Sequence, residues 1–199
     1  KTIAAILPRT SCLVRRAPGG ARGERVIAAN VDQVVVVFAA AHPDPHPRML
    51  DRFLVIAEAN GLPARIVVNK VELVPPGQAE AQFADYSRAD YPVQFTSVKR
   101  GDGLAGLSQA LSGRTSVFTG PSGTGKSSLL NAQFPGLNLR VGEISAAVNK
   151  GRHTTVGALL HPLPGPAGGF VVDTPGLREV GMWELPVERL DRCFPEIGL

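Results

Sequence analysis

The sequence predicts an α/β fold, with a mostly parallel sheet and helices on both faces. Two observations carry that prediction. Short apolar runs of strand length alternate with helix-length segments along the chain, as in a wound parallel sheet. One strand-to-helix junction holds Gly120-Pro121-Ser122-Gly123-Thr124-Gly125-Lys126-Ser127, which matches G-x-x-x-x-G-K-[ST], the phosphate-binding P-loop.

Taken in order, residues 31–40 read as a long buried strand. Residues 48–60 read as a helix, with Met49, Leu50, Phe53, Leu54 and Ala57 on one face and Gly61 as its stop. Residues 65–68 are a second buried strand, and residues 78–88 a second helix. Residues 92–96 form a short strand and residues 103–111 a helix. Ser112-Gly113-Arg114 then turns the chain into the strand 115–119, which delivers the P-loop to a helix beginning near Ser127. Residues 169–172 are a last apolar strand. No internal repeat is found.

The P-loop chemistry follows from its residue types. Glycines let the backbone curl so that its N–H groups converge on phosphate oxygens. The helix behind them turns its positive end toward the same anion. Lys126 can reach the β/γ-phosphates, and the Ser127 hydroxyl can ligate Mg²⁺. The phosphate-binding set is therefore Gly120, Pro121, Ser122, Gly123, Thr124, Gly125, Lys126, Ser127 and Ser128.

Two strand ends bear on the base. Asn69-Lys70-Val71-Glu72 and Ser97-Val98-Lys99 resemble the guanine-reading N-K-x-D and S-A-K motifs of GTPases. Guanine offers N1–H and a 2-amino group as paired donors, and a carboxylate accepts both in a fork. Adenine lacks that pair and leaves the carboxylate unsatisfied. Asn69 is expected to hold the base and its loop, Lys70 to pack its stem over the ring, and Ser97 and Val98 to offer a hydroxyl and backbone N–H groups. Glu72 departs from the usual Asp: the charge is kept and the carboxylate displaced. An ATPase reading rests on that departure and on the generic P-loop.

The order of the motifs is unusual. G domains ordinarily run from P-loop to switch threonine to D-x-x-G to base readers. Here Asn69 and Ser97 come before Gly120, and Thr154, Thr155 and Asp173-Thr174-Pro175-Gly176 follow. The domain therefore reads as a circularly permuted G domain. A short surface turn such as 112–114 is a tolerant place for such a junction.

This order, with the wording of the motifs, resembles the circularly permuted, ribosome-small-subunit-dependent GTPases of the RsgA family. The matching pieces are Ala28-Ala29-Asn30-Val31-Asp32, Asn69-Lys70, residues 120–131, Gly151-Arg152-His153-Thr154-Thr155, residues 173–176 and Arg192-Cys193-Phe194-Pro195-Glu196. The resemblance implies a Mg²⁺-dependent conversion of GTP to GDP and phosphate, slow alone and stimulated by the small ribosomal subunit and its rRNA. Leu177 stands where many GTPases carry a water-orienting glutamine, and it can neither donate nor accept. His153, beside the switch threonines, is the residue the family is thought to use there, and a neutral imidazole suits the task. One of Thr154 and Thr155 is expected on Mg²⁺, with the preference on Thr155. Asp173 is expected to hold Mg²⁺ through a water, and the Gly176 N–H to meet the γ-phosphate. The rival reading is a nucleotide-gated RNA- or ribosome-binding module with negligible hydrolysis, which Leu177 favours.

Composition agrees with one substantial α/β core: 199 residues, 44% hydrophobic. No apolar run approaches the ~18 residues that suggest a membrane span, and residues 1–9 do not read as a signal peptide. Cys12 and Cys193 offer no disulfide framework or metal spacing, which suits a cytoplasmic protein. A monomer is expected. The net charge is +4, and residues 1–25 hold six basic residues against Glu24. That basic arm suits either RNA phosphates or a solvated linker.

The expected division is residues 1–28 as the end of an N-terminal OB-fold plus a basic linker around 19–23, residues 29–182 as the GTPase domain, and residues 183–199 as the approach to a C-terminal zinc domain. The resemblance places that domain's zinc cluster, and any Zn²⁺, beyond Leu199. The histidines of residues 42–47 lack a third metal partner.

Overall fold

The computed structural model describes residues 3, 5–16, 24–139, 159–165, 167–173 and 193. Two strands, β1 (Cys12–Arg16) and β2 (Glu24–Ala29), pair antiparallel. The main sheet has six strands: β3 (Gln33–Ala39), β4 (Ala64–Asn69), β5 (Val93–Phe95), β6 (Thr115–Thr119), β7 (Leu159–Pro162) and β8 (Phe170–Asp173). Their order across the sheet is β5-β4-β3-β6-β8-β7. All neighbours run parallel except β7, which lies antiparallel to β8 at one edge.

The sheet is buried on both faces, which is why its central strand is a continuous apolar run rather than an alternating one. From Gln33 to Ala39 no residue of β3 exceeds 3% exposure. Side chains alternate between two cores. Val34, Val36 and Phe38 pack with Leu50, Phe53 and Leu54 of helix α1 (Pro47–Ala59). Val35 and Val37 pack with Leu107 and Leu111 of α4 (Leu104–Leu111) and Leu129 and Leu130 of α5 (Lys126–Gln133). The Phe38 and Phe53 rings meet edge to face at 6.3 Å.

Helix α1 starts one residue before the predicted 48–60, because Pro47 occupies its first turn, where a missing N–H costs nothing. It stops where Gly61 adopts φ 63. Leu50, Phe53, Leu54 and Ala57 form its buried face as expected, but Met49 is 40% exposed and does not. Its place on the helix is one position short of the buried stripe. The helix predicted over 78–88 is two short ones, α2 (Gln78–Gln82) and α3 (Ala84–Arg88), broken at Phe83. Phe83 is 2% exposed and sits in the α1-side core. The Tyr86 hydroxyl donates to Asp51 Oδ1 at 2.7 Å, tying α3 to α1. Burial first, and that carboxylate second, push its phenol well above the ordinary tyrosine range.

The turn from α4 into β6 is held from outside by two polar residues of the chain just before and at the start of β3. The Asp32 N–H donates to the Thr115 carbonyl at 2.9 Å, and Asp32 Oδ2 accepts the Thr115 N–H at 2.7 Å. Gln33, 2% exposed, donates Nε2 to the Ala110 carbonyl at 2.8 Å and to Ser116 Oγ at 2.9 Å. The β1–β2 pair docks on the same domain: Leu13 is 1% exposed in the α1-side core, and the Val14 N–H donates to Asn60 Oδ1 at 3.0 Å. Asn30, at φ 55, accepts the Thr10 N–H and donates to the Pro8 carbonyl. Residues 19–23, read as a linker, lie outside the described residues. Among the described residues no helix is long and apolar enough to cross a membrane.

The Gln33 contacts make a direct prediction. Gln33→Leu keeps the volume but strands a buried hydroxyl and a part-buried carbonyl, so it should cost about 1–3 kcal/mol in urea unfolding. Ser116→Ala, which removes one acceptor only, should cost less.

Candidate nucleotide-binding site

Three adjacent strands, β4, β3 and β6, end side by side, and the loops leaving them converge. Gly120 follows β6 at φ 127, and a Cβ there would lie 2.1 Å from the Val37 carbonyl oxygen. Only glycine permits that approach of P-loop to β3. Gly125 is similar: φ is 91, and a Cβ would lie 2.4 Å from Asn69 Nδ2. Lys126 and Ser127 are buried at the start of α5, at 8% and 6% exposure. Lys126 Nζ donates to the Gly120 carbonyl at 2.7 Å and the Pro121 carbonyl at 2.5 Å. The lysine is thus folded over the loop it serves, with its charge held at the mouth of α5. Thr124 Oγ1 donates to the Pro121 carbonyl at 3.1 Å and braces the turn from within. Ser128 is the third residue of the helix.

The base-reading loops are bonded to the P-loop directly. Asn69, 2% exposed, donates Nδ2 to the Thr124 carbonyl at 2.9 Å. Its Oδ1 accepts the Thr96 hydroxyl at 3.2 Å. Lys70 adopts a left-handed φ of 63, and its ammonium donates to the Gly123 carbonyl at 2.7 Å and to the His42 carbonyl. A 3-10 turn, Val71–Leu73, follows and carries Glu72. Its Oε2 is buried and has no hydrogen-bond partner. A carboxylate oxygen withdrawn from water without a donor is costly.

The second reading loop is tightly turned. Ser97 is fully buried, its N–H bonds the Asp102 carbonyl at 3.0 Å, and its Oγ accepts the Arg100 N–H at 3.1 Å. Val98 packs against the core on the α4 side, and Lys99 is exposed. The Val71 N–H reaches the Thr96 carbonyl at 3.3 Å, so the two base-reading loops lean on one another. On the other side of β6, Asp173 is paired in register with Phe118, which sets it beside the strand that feeds the P-loop. His153, Thr154, Thr155, Gly176 and Leu177 lie outside the described residues.

The arrangement has counterparts. Residues 6–183 match the family described as RsgA GTPase. The chain belongs to that family. It is 64% identical over 191 residues to the small ribosomal subunit biogenesis GTPase RsgA of Gemmatimonas aurantiaca, covering 96% of this chain and 62% of that protein. Among solved structures, YjeQ from Thermotoga maritima aligns with a TM-score of 0.74 at 34% identity, over 96% of this chain and 61% of that one. YloQ, described as a circularly permuted GTPase, aligns with a TM-score of 0.67 at 34% identity, over 98% of this chain and 58% of that one. The chain therefore spans less than two-thirds of the length of each. Its own fold is the circularly permuted G domain of the RsgA family: base-reading strands β4 and β5 precede the P-loop strand β6, and β8 with its D-x-x-G follows.

Within that family frame, the structure brings together Asn69, Lys70, Glu72, Ser97 and the P-loop from Gly120 to Ser127. It adds two groups that the sequence did not point to. Thr96 orients the Asn69 amide, and its only sequence signal is a hydroxyl residue at a buried strand end. The His42 carbonyl and Pro43 flank Lys70 and Gly123, and a backbone acceptor leaves no sequence signal. Among the described residues no group of three His, Cys, Asp or Glu could hold a metal ion. Ser127 is one hydroxyl donor of the kind that Mg²⁺ shares with nucleotide phosphates.

The Gly125 contact distinguishes backbone strain from a clash. Gly77→Ala, at φ 82 with open space around it, should cost about 1–2 kcal/mol from the left-handed backbone alone. Gly125→Ala adds the collision with the Asn69 amide and should lose clearly more. Paired denaturant titrations compare the two.

Proposed function

We propose that this chain is the guanine-nucleotide-hydrolysing part of a factor that acts on the small ribosomal subunit, releasing from it as GTP becomes GDP and phosphate. The observation that carries the guanine reading is the join between base reader and P-loop. Asn69 and Lys70 are bonded to the Thr124 and Gly123 carbonyls, while the neighbouring Glu72 keeps a buried, unpartnered carboxylate oxygen. Donors in the pattern of guanine N1–H and its 2-amino group answer that oxygen, and adenine's edge does not. The relatives' name, small ribosomal subunit biogenesis GTPase, supports the partner.

In this mechanism the P-loop amides and Lys126 would hold the phosphates, and Ser127, Thr155 and Asp173 would hold Mg²⁺. Mg²⁺ supplies charge neutralisation at the β- and γ-phosphates. His153 orients the attacking water when the switch segment closes, in place of the side chain that Leu177 cannot provide. The Gly176 N–H marks the γ-phosphate, so its loss releases both switches. A cytoplasmic site of action, a basic N-terminal arm on rRNA, and OB-fold and zinc domains flanking residues 29–182 complete the proposal. The second reading, a nucleotide-gated binding module, is favoured by Leu177 alone.

The test is GTP turnover by the full-length protein, alone and with purified small subunits, with ATP as the control substrate. Turnover is expected to be slow alone, stimulated by subunits and specific for GTP. His153→Ala should lower kcat by about a hundredfold, the scale of one lost general-base or water-orienting group. Glu72→Ala should raise the KM for GTP and leave ATP unused. Binding to subunits that is equal with GTP and GDP, without stimulated hydrolysis, would decide for neither release nor catalysis and sink the first reading.

A further inference from the structure

We infer that the loop of residues 42–46 is part of the nucleotide site, with His42 a positioning residue that holds Lys70 through its backbone carbonyl. The inference rests on the guanine-nucleotide reading above and names a contact outside the base-reading and phosphate-binding motifs.

The loop leaves β3, the strand between the base-reading strand β4 and the P-loop strand β6. Its beginning is bound to the base reader, since the Ala40 N–H donates to the Asn69 carbonyl at 2.8 Å. Two residues on, the His42 carbonyl accepts the Lys70 ammonium. That ammonium also donates to the Gly123 carbonyl, at 2.7 Å. One cation therefore joins the loop after β3 to the P-loop. Pro43 lies close beside the join: a side chain added at Gly123 would meet Pro43 Cδ at 3.5 Å, so little space is left between the two loops. Hydrogen bonds from a charged donor are stronger than neutral ones, so losing one of two frees Lys70 to swing from the base.

The carbonyl points inward because of the backbone, not the side chain. His42 is exposed, and its φ is 49. Its imidazole makes no hydrogen bond among the described residues. Glycine and asparagine adopt a positive φ readily, whereas a β-branched residue does not. Three prolines, at 43, 45 and 47, restrict the rest of the loop. Lys70 therefore grips a stiff piece of chain.

The test separates backbone from side chain. In the full-length protein, the release rate of a fluorescent GDP analogue is measured for wild type, His42→Gly, His42→Asn and His42→Val. His42→Val should speed release about tenfold, by loss of one charge-assisted hydrogen bond. It should raise the KM for GTP in step, with kcat at saturating GTP little changed. Glycine and asparagine should behave as wild type. Equal losses in Gly and Val would assign the effect to the imidazole and overturn the inference, and so would no loss in Val. Nucleotide-free melting temperatures show whether Val has simply damaged the fold. A measurement on wild type alone covers that case: GDP should slow hydrogen exchange at the amides of residues 41, 42, 44 and 46, and unchanged exchange there overturns the inference. Failure of wild type to bind GDP at all takes down the guanine-nucleotide reading with it. Binding by wild type with all variants alike takes down only the loop.

Discussion

A single buried amide holds the site together. Asn69 and Thr124 are 55 residues apart in the chain, and the bond between them fixes the distance from base reader to phosphate loop. The amide thus sets the spacing of the two loops. It is kept in one orientation by Thr96, whose hydroxyl occupies the Oδ1 side, leaving Nδ2 no choice but the P-loop. Gly125 then has to be glycine, because the amide already fills the space a side chain needs. One polar contact thus dictates a residue type in another loop.

The permutation leaves this geometry intact because a sheet's function depends on which strands are neighbours rather than on the order in which the chain visits them. What permutation does create is a new covalent joint between α4 and β6. Asp32 and Gln33 fasten that joint with three side-chain hydrogen bonds, one of them buried. A mobile joint would let β6, and the P-loop with it, shift along β3. Placing the fasteners at the start of the central strand ties the joint to the most buried element of the domain.

Much of this was legible before any coordinates. The β6–P-loop–α5 unit follows from residue types at fixed spacing, and its strand bounds, Thr115–Thr119, agree with the sequence reading. The permuted order was equally readable, since it lies in motif wording. Other features were hidden for physical reasons. β7 is four residues, Leu159–Pro162, too short to show a period. The α2–α3 break carries no glycine or proline to announce it; Phe83 is drawn into the core instead. The β1–β2 pairing was masked by an intervening glycine-rich stretch that reads as linker. Met49 followed helical spacing but fell at the rim of the buried stripe. His42 contributes a carbonyl, which every residue has, so no pattern could single it out.

Helix α1 has a different fastening at each end. Its N-terminal side continues from the loop gripped by Lys70, and its C-terminal residue Asn60 holds the Val14 N–H of the β1–β2 pair. Thirteen helical residues span about 20 Å, and one buried face packs along them. The helix is in effect a lever arm with the loop held by Lys70 at one end and the N-terminal strands at the other. A tilt of a few degrees about its packed middle would displace those strands by about an ångström at that length, a mechanical route between the two that runs through no switch segment.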